Sequence, residues 1–296
     1  MRTSSTSDRP GGLALALERT GGAIRLVHPF PVLLDALATA GLALVAGAPV
    51  ARAAVLGLAM LCLQASIGAL NDLRDLDRDR GRKPAKPLPR GLVSVPAARL
   101  IAGTGLAAGL LLSLAGGPPA VAVALAGAAT GYAYDLGLKT TAWSWLPFAA
   151  GVPLLVLFAW LGAGAALPGA FLLLVPLALA GGAALALSNE LADDERDRGT
   201  GLRTAVGALG RRRAWQADLV LQATVIVVAL GSLIVGGAAI ESIGVADGSA
   251  ALTMIGVALS RGHRPTTRER GWELQAIGLA GLGLAWLAGL AGRGLL

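Results

Sequence analysis

Apolar residues along this chain fall into runs of about 20, the length of helix that crosses a bilayer, with short polar breaks between them. Nine runs can be placed, at 31–48, 52–71, 97–115, 118–134, 143–162, 167–189, 214–236, 244–260 and 273–291. Glu241 and Asp247 crowd the start of the eighth. The pattern predicts an all-α polytopic membrane protein with about nine transmembrane helices. Residues 29–296 read as a single transmembrane domain, preceded by a polar tail over residues 1–28. The start of that tail, MRTSSTSDRPGG, has the composition of a disordered segment and not of a signal peptide.

Composition strengthens the membrane reading. The chain is 55% apolar and 15% charged, against about 25% charged in a soluble domain. Mean hydropathy is +0.67. The 42 glycines suit membrane helices, where small residues let backbones approach closely. Cys62 is the sole cysteine, which excludes an intrachain disulfide and a cysteine-built metal cluster.

Charge fixes an expected orientation. A net charge of +7 could suggest nucleic acid, but the basic residues cluster between apolar spans. With the N-terminus cytoplasmic, only Arg52 and Arg293 of the 25 lysines and arginines fall on the far side. This is the positive-inside pattern, and an error of one span would scatter it. The expected location is the cell membrane, with the N-terminus and the long polar links 72–96 and 190–213 in the cytoplasm. Long polar links carry chemistry more often than tight turns do.

Those two links begin with the same signature. Asn71 to Gly91 packs four aspartates and seven basic residues into 21 positions. Asn71, Asp75 and Asp79 are spaced N-x3-D-x3-D, and Asn189, Asp193 and Asp197 repeat the spacing. On a helix each set forms one stripe, and Asp72 lies one residue from the first. Like charges so placed repel each other, and more so beside a membrane. A cation between the stripes removes the repulsion. The donors are hard oxygens without His or Cys, which selects Mg2+ or Ca2+ over zinc. Substrate phosphates and waters usually complete a Mg2+ shell. Arg82, Lys83, Lys86, Arg90, Lys139 and Arg203 share the expected cytoplasmic side. Acids plus bases read as a metal-bridged diphosphate site.

These residues carry a resemblance. Asn71 to Asp79 fits the N-D-x2-D-x3-D motif of the UbiA superfamily of intramembrane prenyltransferases. Lys83 to Gly91, KPAKPLPRG, is similar to the family's K-P-x-R-P-L-P-x-G segment, with Lys86 in place of Arg. Tyr134 to Lys139 resembles its Tyr-x3-4-Lys segment, and Asp193, Asp197, Gly201 and Thr204 match D-x3-D-x3-G-x2-T. The resemblance implies nine helices ringed around a central cleft, and Mg2+-dependent transfer of a prenyl group from a prenyl diphosphate to an aromatic or lipid-soluble acceptor. It implies metal contacts from Asn71, Asp72, Asp75, Asp79, Asn189, Asp193 and Asp197, with Asp75, Asp79, Asp193 and Asp197 central to catalysis. Arg82, Lys83, Lys86, Lys139 and Arg203 would neutralise the diphosphate. Arg25, His28, the intramembrane Asp35 and Tyr134 are the candidates for holding the acceptor. Trp143, Trp145 and Phe148 are candidates for the pocket wall. Where hydroxybenzoate-using members carry D-x2-Y, this chain has Ala186 and Asn189, so the resemblance stops short of that acceptor.

Two other classes compete. A membrane terpene cyclase would use the same metal–diphosphate site and quench its cation internally. A cation transporter would place carboxylates near mid-membrane, whereas these sit at the ends of spans among Arg and Lys.

Overall fold

The computed structural model describes residues 12–81, 83–197 and 203–294, and the backbone alone of residues 12–15, 196 and 197. Eleven α-helices and no strand occur among the described residues. They are α1 (Gly12–Leu26), α2 (Pro29–Val45), α3 (Val50–Arg80), α4 (Val95–Ser113), α5 (Gly117–Leu136), α6 (Leu146–Gly162), α7 (Phe171–Asp197), α8 (Ala205–Leu209), α9 (Arg211–Val235), α10 (Ile240–Ser260) and α11 (Pro265–Ala291). Nine of them, α2 to α7 and α9 to α11, overlie the nine expected runs.

Six helical stretches are long and apolar enough to cross a membrane, or seven if α1 and α2, bent by 59°, form one broken span. The lower count has three causes. α4 and α5 run on through a 3-10 turn at Leu114–Gly116 and read as one stretch. α6 has only 17 residues, and α2 is counted only with α1. The α4–α5 stretch has 42 residues, about twice what a bilayer needs, and Gly117 breaks it with φ of +78°. α4 and α5 then pack against each other.

Local signals place the helix ends. Ser94 caps α4 by accepting a hydrogen bond from the Ala97 amide. Prolines stand in the first turn of α2, α4, α5, α6 and α11, where no amide donor is lost. His28 precedes α2 in the left-handed region, φ +55°, the one non-glycine residue with positive φ among those described.

Sequence neighbours pack side by side around the bundle, and α11 packs against α2 to close the ring. The α10–α11 crossing depends on Gly256 and Gly271. A Cβ on Gly271 would stand 2.7 Å from the Gly256 carbonyl oxygen, too close for any side chain. The main core runs through the ring interior and includes Leu56, Phe158, Trp160, Leu233, Leu282 and Trp286. The last turns of α3 and α7 extend beyond their apolar stretches, so both acidic stripes emerge as helix.

Candidate active site

α3 and α7 each turn a stripe of acids toward lysines supplied by other segments. On α3, Asp72 and Asp79 are buried at 2% and 4% exposure, whereas Asp75 is half-buried. Asp72 Oδ1 accepts hydrogen bonds from Lys86 Nζ at 2.7 Å and His28 Nε2 at 3.0 Å, while its Oδ2 has none. Lys86 Nζ also lies 2.8 Å from Asp79 Oδ2. Burial by itself would lower the Lys86 ammonium, but Asp72 and Asp79 outweigh it and hold Lys86 above its ordinary value. Asp75 pairs with Lys139 at 2.7 Å and with Arg78 on the next turn. Lys139 also reaches Asn71 Oδ1 at 3.4 Å.

The second stripe joins the first through Lys83, whose Nζ lies 2.9 Å from Asp193 Oδ2. Asn189 is half-buried on the same helix. Asp197 ends α7, with its side chain outside the described residues, as is Arg82. Arg203 is exposed, and its amide donates to the Thr140 carbonyl at 3.3 Å. This bond ties the link after α7 to the link after α5. Thr204 caps α8 by accepting from the Gly207 amide.

Of the four candidates for the acceptor, His28 joins the acid–lysine layer through Asp72. Tyr134 packs edge-on against Phe148, ring centres 5.6 Å apart, so α5 and α6 share that wall. Trp143 and Trp145 instead lie beside each other. Asp35 sits deeper, accepting from Gln64 Nε2 at 2.6 Å. Arg25 is exposed, and its side chain turns back to the Gly21 carbonyl; the fold does not bring it to the layer.

Several residues of the layer carry no motif. Asp135 is 2% exposed, lies 3.7 Å from Lys139, and neither carboxyl oxygen has a hydrogen bond. Its spacing of four from Lys139 is the one sequence signal it offers. Arg268 of α11 is fully buried. It donates to the carbonyls of Leu191, Gly262 and His263 at 2.6, 3.0 and 2.9 Å and to the Glu195 carboxylate. Glu195 also takes Arg211 at 3.2 Å. Glu190 accepts from the Val206 amide at 2.9 Å.

Among the described residues no three acidic, histidine or cysteine side chains stand close enough to share one metal ion, because lysines lie between them. The donor chemistry nonetheless suits a hard divalent cation: carboxylate and amide oxygens from two helices.

A closed ring of apolar helices with a layer of acids and lysines at one end defines an integral membrane protein. Residues 34–290 match the model of the UbiA prenyltransferase family, and the chain belongs to that family. A stretch of 73 residues is 42% identical to the digeranylgeranylglyceryl phosphate synthase of Ignicoccus hospitalis, spanning 25% of this chain and 24% of that protein. Among solved structures, a digeranylgeranylglyceryl phosphate synthase aligns with TM-score 0.68 at 17% identity, over 93% of this chain and 99% of the other. A UbiA homologue from Archaeoglobus fulgidus, bound to DMAPP and Mg2+, aligns with TM-score 0.68 at 22% identity, over 88% and 98%. The same homologue bound to GPP and Mg2+ aligns equally well. At these identities the structural likeness is one of fold.

Proposed function

We propose that this protein transfers a prenyl group from a prenyl diphosphate to a lipid-soluble acceptor, with Mg2+, on the cytoplasmic side of the membrane. One observation carries the reading: Lys83 joins two acidic motifs far apart in sequence at the end of the ring, its amide donating to the Asp79 carbonyl and its Nζ lying 2.9 Å from Asp193. The homologue from Archaeoglobus fulgidus that binds DMAPP or GPP together with Mg2+ has the same fold.

Asn71, Asp75, Asp79, Asn189, Asp193 and Asp197 would hold Mg2+, which supplies positive charge to the diphosphate oxygens. Asp75 and Asp193 are the part-exposed carboxylates, with 15% and 34% of their side chains open. Asp72, nearly fully enclosed, serves instead to hold Lys86 and His28. Without substrate, Lys83, Lys86 and Lys139 neutralise the acids and keep a charged layer tolerable at the membrane edge. With substrate they turn to the diphosphate, joined by Arg82 and Arg203. The allylic C–O bond then breaks with its leaving charge already stabilised. The apolar ring beneath excludes water from the allylic cation. His28 and Tyr134 border this reaction space.

The test is incubation of the purified full chain with labelled prenyl diphosphates, Mg2+ and a lipid extract, followed by mass spectrometry. A labelled prenylated lipid that disappears with EDTA is the expected result. Release of free prenyl alcohol alone, or turnover indifferent to EDTA, would overturn it. A labelled hydrocarbon formed without extract would mark a cyclase.

A further inference from the structure

Beneath the charged layer, two apolar cavities meet at one polar pair. The larger, about 140 Å3, lies between α2, α6, α7, α9 and α11. The smaller, about 60 Å3, lies between α3, α5 and α6, and Leu155 lines both. Among the described residues, Asp35 is the only ionisable side chain facing the larger cavity, and Gln64 the only polar side chain facing the smaller. The 2.6 Å hydrogen bond from Gln64 Nε2 to Asp35 Oδ2 therefore lies at the partition. Gln64 is the one side-chain partner of Asp35 among the described residues, which leaves Oδ1 able to accept.

Register relates this pair to the reaction layer. Gln64 lies seven residues before Asn71 on α3, two turns along the same face, or about 10 Å. A molecule with a polar group at Asp35 and an apolar body in the cavities would lie directly below the diphosphate.

We propose that Asp35, held by Gln64, anchors the hydroxyl of the acceptor, and that the acceptor is an uncharged hydroxyl-bearing lipid. This rests on the prenyl-transfer reading above. Charge decides the class. Among the described residues no Lys, Arg or His lines either cavity, so an acceptor carboxylate or phosphate would meet Asp35 at low dielectric without a counter-ion. The lysines of the charged layer pair with its acids and, on the reading above, with the diphosphate. An ammonium would have Asp35 as its counter-ion, but the pair would have to offset the cost of taking both charges out of water. A hydroxyl donates one hydrogen bond to Asp35, whose carboxyl accepts in either protonation state.

The test uses four probes with the same C16 chain: hexadecanol, hexadecanoate, hexadecyl phosphate and hexadecylamine. Each is titrated into the purified full chain while the melting temperature is read, since a ligand of the native state raises it. Hexadecanol is expected to stabilise the wild type most. Asp35→Leu, which removes the acceptor oxygens, should need about ten-fold more hexadecanol for the same shift. The shift produced by geranyl diphosphate with Mg2+ should survive in Asp35→Leu. A charged probe that stabilises as well as the alcohol would overturn the proposal, as would an alcohol effect that is absent or indifferent to Asp35→Leu. Should that variant not fold, the wild-type ranking of the four probes decides. Failure of geranyl diphosphate with Mg2+ to stabilise the wild type would instead strike the prenyl-transfer reading.

Discussion

The two acidic motifs share their spacing but are held in different ways. The first, on α3, is surrounded by side chains: Lys86 and His28 on Asp72, Lys86 on Asp79, Lys139 on Asp75. The second, on α7, has Lys83 on Asp193 and is otherwise held through residues that flank its stripe. Glu190 and Glu195, which lie between and beside its members, engage the Val206 amide, Arg211 and Arg268. Arg268 also seizes the Leu191 carbonyl. Local chain and lysines thus hold the first motif, whereas the second, besides Lys83, depends on helices from the C-terminal third. Equal motifs in sequence are unequal in what they depend on.

That contrast can be broken. The largest effect should come from the stripes themselves. Asp75→Ala and Asp193→Ala should each lower Mg2+-dependent prenyl transfer about a thousand-fold or more, since the leaving charge loses its stabiliser. A normal detergent melting curve checks that folding is intact. Full activity in either variant would dissolve the shared site. Asp72→Asn should behave differently, with an unchanged Mg2+ requirement but weaker diphosphate binding, because Lys86 loses its holder.

Next is Arg268→Ala. It removes a buried cation and its bonds to Glu195 and three carbonyls, of which Glu195 and Gly262 keep Arg211 as a donor, a loss of about 3–5 kcal/mol. A melting temperature lower by several degrees is expected, with activity falling alongside. Arg211→Ala, part-exposed on the same carboxylate, should cost under about 1 kcal/mol. If the two variants melt alike, the clamp on α7 is not where Arg268 places it.

Lys86→Ala should raise the apparent KM for the prenyl diphosphate about ten-fold, one charge-assisted hydrogen bond's worth. The pH dependence of this group has a definite sign. Its folded-state value is raised above the ordinary 10.5. The ion pairs with Asp72 and Asp79 are therefore fully present below 10.5 and are lost only as pH rises past the folded-state value. A melting series from pH 7 to alkaline values reads this directly in wild type against Lys86→Ala. The smallest effect belongs to Arg80→Ala: its exposed pair with Asp77 should contribute within about 0.5 kcal/mol.

Much of the molecule was legible in the chain. Run length set the all-helical membrane bundle, because a bilayer core dictates span length and every backbone group must be satisfied within the span. The stripes Asn71–Asp79 and Asn189–Asp197 were visible because helical periodicity places residues four apart on one face. The lysines were visible as types. Their partners were not: nothing local sends Lys83 to Asp193 or makes Lys86 bridge Asp72 and Asp79. Asp135 and Arg268 carried no signal beyond a spacing and a charge that topology already explained. Arg25, chosen for its position before the first span, is exposed and bonds the Gly21 carbonyl.

The sequence by itself determined the solvent, an all-helical bundle of about nine apolar helices and the two stripes, since each depends on short-range periodicity and hydropathy. Tertiary structure alone decided the pairing. Ring closure of α11 on α2 encloses the interior, and the contacts of α7 with α9 and α11 bring Arg268 and Arg211 to Glu195. The approach of α2 to α3 sets Asp35 against Gln64. Burial then gives these contacts their strength, because a charge or amide removed from water must find its partner across the fold.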